Sequence, residues 1–138
     1  MSLTHYQNAY ITRNMATALP RFCKHFGIKE SDVMSYEGQV PIRTPDGPGL
    51  AHQKIVLVWL DGVQYELIEP IGGAVDLYRN ELPADDSLKF HHVAVRTNDW
   101  DKTYAELAKQ GRRIAQEGES GDQLKFLYTD DRGTLGHY

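Results

Sequence analysis

The sequence predicts an α+β fold in which two β-α-β-β-β units form a cupped, mixed sheet with helices on its outer face. The first observation is a repeated pattern of a strand opening on a histidine, a helix-like stretch and a closing glycine, at residues 4–27 and again at residues 88–111. The second is the pair Asp61-Gly62 between two β-branched and aromatic runs, which is the usual signal of a hairpin turn. Helices that return to a largely antiparallel sheet cover one of its faces.

The first unit is assigned to residues 4–70. Its opening strand is followed by a helix that Asn14 can cap, that Pro20 interrupts and that Gly27 ends. Residues 41–49 are rich in proline and glycine and predict a loop. Three further strands are expected, at residues 32–37, 53–60 and 63–68.

Residues 71–87 are expected to be a linker, and the second unit is assigned to residues 88–138, within a single domain of residues 1–138. Asn98 is the expected cap of a helix that starts at Trp100. Later strands are predicted at residues 113–117 and 123–129, and a last strand that has barely begun at Tyr138.

Charge, hydropathy and cysteine content indicate which partners and which compartment to expect. A net charge of -4 with no cluster of lysine and arginine argues against a nucleic-acid partner. The longest apolar run, residues 55–60, is too short to span a bilayer, so no membrane partner is expected. The single cysteine, Cys23, excludes an internal disulfide and fits a reducing compartment, which predicts a cytoplasmic protein.

Strand alternation predicts which side chains face into the cup. In the second unit Val93 and Val95 are expected beneath the helix, which turns His92 and Arg96 inward.

In the first unit the same rule turns His5 and Gln7 inward, and Tyr6 and Tyr10 toward the helix. Glu66 shares a strand face with apolar residues, where an unpaired carboxylate is costly and needs a cation or a proton. Two imidazoles and one carboxylate are a common donor set for a metal ion.

Each of these residues also has a purely structural interpretation. His5 can be a polar residue on a frayed strand, Glu66 a solvated residue, and Arg96 the partner of a surface carboxylate. His91 and His92 are adjacent, so alternation predicts opposite faces and at most one of them in the cup.

The pattern resembles the vicinal oxygen chelate superfamily, which includes glyoxalase I, methylmalonyl-CoA epimerase, extradiol dioxygenases and bleomycin resistance proteins. The matching residues are His5 at the head of the first strand, Glu66 in the run Tyr-Glu-Leu-Ile-Glu-Pro, and His92 in the run His-His-Val-Ala-Val. The superfamily also places a glutamate on the last strand of the second unit, and no such residue occurs up to Tyr138.

The resemblance implies that His5, Glu66 and His92 hold a divalent ion such as zinc, nickel, cobalt, manganese or iron. It implies a glyoxalase-like lyase or isomerase that acts on a small substrate with two adjacent oxygens, with Glu66 as the catalytic residue and Gln7 and Arg96 placing the substrate. It leaves two alternatives, a metal-free drug-binding protein of the bleomycin resistance type and an iron(II) extradiol dioxygenase. A homodimer is the expected assembly.

Overall fold

The computed structural model describes residues 2–121 and 124–138, and these form seven strands and four α-helices. The strands are β1 Thr4–Ile11, β2 Met34–Thr44, β3 Gly47–Leu60, β4 Val63–Gly73, β5 Lys89–Arg96, β6 Ile114–Ser120 and β7 Leu124–Thr129. The helices are α1 Met15–Phe26, α2 Asp76–Arg79, α3 Trp100–Lys109 and α4 Arg132–Leu135.

The strands make one curled sheet in the order β5-β1-β4-β3-β2-β6-β7. β1 runs parallel to β4 and antiparallel to β5, so the sheet is mixed. The predicted α+β fold class, with a cupped mixed sheet and helices on its outer face, is therefore confirmed.

Two apolar clusters lie on opposite faces of the sheet. On the outer face, α1 buries Met15, Phe22 and Cys23 against β3 and β4. Cys23 is only 4% exposed, and burial raises the pKa of its thiol. On the inner face, the cup is closed at one end by a second cluster: Ile11, Ile42, Ala51, Ile55, Ile68, Val75 and Tyr78.

Both long helices begin at a side-chain cap. The side-chain amide oxygen of Asn14 accepts a hydrogen bond from the Thr17 backbone N–H, as expected for the cap of α1. In α3 the cap is Asp99, which accepts from the Lys102 N–H at 3.0 Å. The prediction that Asn98 caps this helix was wrong by one residue.

The predicted loop at residues 41–49 is instead the end of a long hairpin. Pro41 pairs with Leu50, and the strands continue to Thr44 and Gly47. A backbone φ of 113° at Gly47 makes the tight turn. The prolines suggested a loop, but a strand tolerates proline wherever its missing N–H is not required.

The second unit departs from the prediction in the position of its helix. Val93 and Val95 are 37% and 46% exposed and do not lie beneath α3. The helix extends toward β6 instead, where the Tyr104 hydroxyl donates to Glu117.

The predicted strand 123–129 is confirmed from Leu124 onward, and Gln123 lies outside the described residues. After β7 the described chain forms α4 and no further strand. The backbone N–H of Tyr138 donates to the His91 carbonyl at 3.1 Å, on the outer edge of β5. No helix in the described ranges is both long and apolar enough to cross a membrane.

Candidate functional site

A β-bulge in β1 decides which of its side chains enter the cup. The pairing with β5 passes from His5–Val95 to Gln7–Ala94, so that Tyr6 is one extra residue on β1. An extra residue breaks the alternation of a strand, which places Tyr6 and Gln7 on the same side.

A second bulge lies on β5, where the pairing passes from Ala9–His92 to Tyr10–Phe90. His91 is the extra residue here, and it joins His92 on the inner side. Phe90 then turns to the outer face, where its ring meets that of Tyr10 edge-on at 5.6 Å. The prediction that His91 and His92 face opposite ways was wrong because of this bulge.

The two units are related by a local twofold axis that passes between β1 and β5. The pairs Gln7–Ala94 and Ala9–His92 are exchanged by this axis, which makes Gln7 the counterpart of His92. The extra residues Tyr6 and His91 are counterparts in the same way.

The helix caps support this equivalence. Asn14 caps α1 and Asp99 caps α3, and Gln7 and His92 each lie seven residues before their cap. The first unit therefore carries an amide where the second carries an imidazole.

His5 lies outside the cup. Its ring Nε2 contacts the Asn8 amide oxygen at 2.8 Å, and both side chains are on the outer side of β1. The expectation that His5 faces inward was wrong because the bulge at Tyr6 reverses the alternation of the residues before Gln7. The structure does not bring His5 together with Glu66 and His92.

Glu66 and His92 do come together. The Glu66 Oε1 and His92 Nε2 atoms are 3.5 Å apart, and their side chains are 14% and 4% exposed. Ala9 pairs with Glu66 on one side and with His92 on the other, and it is fully buried. A methyl group at this position leaves room for the two longer side chains to meet above it.

His91 and His92 belong to a buried series of hydrogen bonds that starts at Leu77 in α2. The His91 Nε2 lies 2.9 Å from the Leu77 carbonyl oxygen, and the Nδ1 atoms of the two histidines are 2.9 Å apart. Burial, and secondarily the charge of His92, lower the pKa of His91 to about 4, so this imidazole is neutral at physiological pH.

Four tyrosines lie near enough to Glu66 for its charge to affect their hydroxyls. Burial is the main cause of a raised pKa for each hydroxyl, and the charge of Glu66 raises it further; the four are Tyr6, Tyr36, Tyr78 and Tyr128. The Tyr128 ring is 4.7 Å from the His92 ring, and its oxygen accepts from the Tyr78 hydroxyl at 2.9 Å. These hydroxyls stay protonated near neutral pH and can donate hydrogen bonds into the cup.

Sequence reasoning missed these four tyrosines as site residues. Tyr6 is hidden by the bulge, and Tyr78 belongs to α2 in the expected linker. Tyr128 lies two residues after Phe126 on β7, so the two side chains share a face. That spacing could have placed Tyr128 on the inner face.

Gln7 and Arg96 lie on the inner side, as alternation predicts. The Gln7 Nε2 donates to the Gln64 amide oxygen at 2.8 Å, and within residues 2–121 and 124–138 no donor bonds the amide oxygen of Gln7. The Arg96 guanidinium stands 4.3 Å from the ring centre of Tyr6 and 6.0 Å from that of Trp59. Trp59 is 52% exposed, so this group marks the mouth of the cup.

The donor atoms in the cup suit a divalent ion only in part. Within residues 2–121 and 124–138, no three His, Cys, Asp or Glu side chains come together as a metal-binding group. The imidazole of His92 and the carboxylate of Glu66 supply two donors, and the amide oxygen of Gln7 is a third of the hard type that divalent ions accept. Two ligand atoms of one ion stand about 3 to 3.5 Å apart, which agrees with the 3.5 Å between Glu66 and His92.

Comparison with known proteins places this chain in a family. Similar solved structures include the hypothetical protein BH1468 from Bacillus halodurans C-125, with 13% identity, a TM-score of 0.60, and coverage of 99% of this chain and 91% of that one. Methylmalonyl-CoA epimerase from Mycobacterium tuberculosis has 14% identity, a TM-score of 0.58, and coverage of 97% of this chain and 83% of that one. At these identities the likeness shows the fold alone.

No curated protein sequence matches the chain. A family model described as the glyoxalase/bleomycin resistance protein/dioxygenase superfamily matches residues 6–128, which is most of the sequence. The chain therefore belongs to this superfamily, also called the vicinal oxygen chelate superfamily.

Proposed function

We propose that the protein is a metal-dependent lyase or isomerase of the glyoxalase type, acting on a small substrate with two adjacent oxygens. The observation that carries the proposal is the buried pair of Glu66 and His92, whose facing atoms are 3.5 Å apart. A carboxylate and an imidazole nitrogen held this way, away from water, call for a cation or a proton between them.

His92, Glu66 and Gln7 would hold the ion, with Gln7 in the role expected of His5. A divalent ion at this place would act as a Lewis acid toward the substrate oxygens. Glu66 is the residue suited to accept and return a proton, because its carboxylate faces the cup and the hydroxyls around it stay protonated. The hydroxyl of Tyr128 can donate to a substrate oxygen, since its own oxygen already accepts from Tyr78.

Arg96 supports a substrate with an anionic group. Within the described ranges it has no carboxylate inside ion-pair distance, and its guanidinium rests on the rings of Tyr6 and Trp59 at the mouth. A carboxylate or phosphate at the mouth would pair with Arg96, while the reacting oxygens reach Glu66 deeper in the cup. Gln7 lies on β1 between these two positions, so a substrate that reaches both also meets its side chain.

Elemental analysis of purified protein tests the metal. We expect about one divalent ion per chain in the wild type, and its loss in His92→Ala, because removal of the imidazole leaves too few donors. His5→Ala is the matched control and should keep the ion, since His5 lies on the outer side of β1. Full metal content in His92→Ala would refute the proposal.

A metal-free binding protein of the bleomycin resistance type is the second candidate. Aromatic rings around one carboxylate can hold an aromatic cation, and the described cup offers Tyr6, Tyr36, Trp59 and Tyr128 around Glu66. This function predicts binding of an aromatic cation that persists after treatment with a chelator. The extradiol dioxygenase alternative requires two imidazoles and one carboxylate, and it receives less support because His91 is already engaged by Leu77 and His92.

We also propose that the protein forms a homodimer and works in the cytoplasm. The outer edge of β5 supports the dimer, because in the part of the chain that the structure describes no second strand pairs with β5, and the Tyr138 N–H bonds this edge only at His91. Two copies of one edge strand can pair about a twofold axis and protect each other's backbone groups. A single cysteine that is buried fits a reducing compartment.

A further inference from the structure

We propose that His91 is a positioning residue that fixes the tautomer of His92, so that the bare Nε2 atom of His92 faces Glu66. The inference deepens the proposed function, because a bare nitrogen is the form of imidazole that can bind a metal ion or accept a proton. The tautomer of His92 is inferred only from hydrogen bonds within the protein and does not require a bound metal ion.

The chain of hydrogen bonds starts at a group that can only accept. The Leu77 carbonyl has no hydrogen, so the His91 Nε2 at 2.9 Å must be the donor. His91 is 3% exposed, and burial away from water favours a neutral imidazole. A neutral imidazole with its hydrogen on Nε2 has a lone pair on Nδ1.

This lone pair determines which nitrogen of the His92 ring carries the hydrogen. The Nδ1 atoms of His91 and His92 are 2.9 Å apart, which is a normal hydrogen-bond length, so the Nδ1 of His92 must donate. The Nε2 of a neutral His92 then has no hydrogen. Its 3.5 Å separation from Glu66 Oε1 is longer than the roughly 2.7 to 3.2 Å of a direct N–H···O bond, so this nitrogen does not donate a hydrogen to Glu66.

Packing holds the His91 ring in this orientation. The ring of Tyr78 lies 5.2 Å away, and that of Tyr138 stacks on it at 5.0 Å with an angle of 28° between the planes. The Tyr138 backbone N–H also bonds the His91 carbonyl. The bulge that inserts His91 into β5 is therefore what connects α2, through Leu77, to the site.

Nuclear magnetic resonance of the metal-free protein tests the tautomer directly. In ¹⁵N-histidine-labelled full-length protein, with the pH raised until each of the two rings carries a single hydrogen, long-range ¹H–¹⁵N spectra should show His92 with its hydrogen on Nδ1 and His91 with its hydrogen on Nε2. A single hydrogen on the Nε2 of His92, with none on Nδ1, would overturn the inference. Because no metal is present, this outcome does not depend on whether the proposed function is right.

Two variants test the role of His91. His91→Phe removes the acceptor, and we expect His92 to lose its single tautomer and the affinity for zinc to fall about 10- to 100-fold. His91→Asn keeps an acceptor close to the Nδ1 position and should retain the His92 tautomer. An unchanged His92 spectrum in His91→Phe would show that His91 does not set the tautomer. Wild-type protein with the expected tautomer but no affinity for zinc would refute the metal proposal and leave the inference standing.

Discussion

Gln7 and His92 occupy equivalent positions in the two units, yet they offer different donors. The amide oxygen of Gln7 is a weak ligand for zinc or cobalt, whereas an imidazole binds both well. The inner face of β1 already presents this position to the cup, next to Gln64. A change of side chain at Gln7 should therefore be enough to give the site a second imidazole.

We predict that Gln7→His raises the affinity for zinc or cobalt at least about tenfold, because imidazole replaces an amide oxygen at the inner position. Isothermal titration calorimetry with each ion measures the change. Asn8→His is the matched control, since it adds an imidazole to the outer side of the same strand and should leave the affinity unchanged. Equal effects of the two substitutions would show that Gln7 is not beside the ion.

Individual residues of the site were predictable wherever the strands alternate regularly. The inward positions of Glu66, His92 and Arg96 follow from period-two alternation, and the structure confirms them. His5 was assigned to the wrong face because alternation was extended through Tyr6, where β1 has an extra residue. A bulge is defined by the pairing with a neighbouring strand, and the sequence of one strand does not contain that information.

At the scale of elements, the end of β4 depends on one glycine. Gly73 has a backbone φ of 72°, and a Cβ atom there would overlap the carbonyl oxygen of Leu50. The same carbonyl accepts from the Ala74 N–H at 2.7 Å, which ties the chain leading to α2 onto β3. This close approach is possible only without a side chain at residue 73.

Gly73→Ala should lower the free energy of unfolding by about 3 kcal/mol, from the sum of the unfavourable φ and the overlap with Leu50. Gly72→Ala provides the comparison, because a Cβ at Gly72 meets no atom within 4 Å and its φ is not positive. We expect its cost to stay below about 1 kcal/mol. Urea unfolding followed by circular dichroism measures both, and similar costs for the two variants would contradict this explanation.

Helices and strands were predicted best where the residues of a turn or helix end are by themselves enough to define it. The Asp61-Gly62 hairpin and the glycine end of α1 are present as expected. The hairpin at Thr44 and Gly47 was predicted as a loop, because the prolines of this segment outweighed its strand pattern. The error has a physical origin, since proline is acceptable in a strand position that makes no N–H bond, and pairing decides which positions those are.

At the scale of the whole molecule, the sheet leaves an exposed apolar strip on β5. Val93 and Val95 are 37% and 46% exposed on its outer face, next to an edge where, among the described residues, no further strand pairs. The repeat in the sequence was sufficient to predict the cupped sheet of the whole chain. It could not predict that α3 lies toward β6 and leaves β5 uncovered, because that depends on long-range packing.

We expect a dimer in light scattering at micromolar concentration, and its conversion to monomer by Val93→Lys, because a charge would be buried at the β5 edge. Leu124→Lys changes a 55% exposed apolar residue on the other edge strand and should leave the dimer intact. A monomeric wild type, or a dimer that persists in Val93→Lys, would refute an interface at β5.

The inaccessibility of Cys23 makes selective labelling of the cup feasible. Its thiol is the only one in the sequence, and it is buried on the side of α1 that packs on the sheet, with a raised pKa, so a maleimide dye would react with it slowly. A cysteine introduced at Met34, which is 64% exposed on the strand beside Leu57, would then carry the dye alone. A change in fluorescence of a dye at residue 34 would report the binding of candidate ligands in the cup without an assay of enzymatic activity.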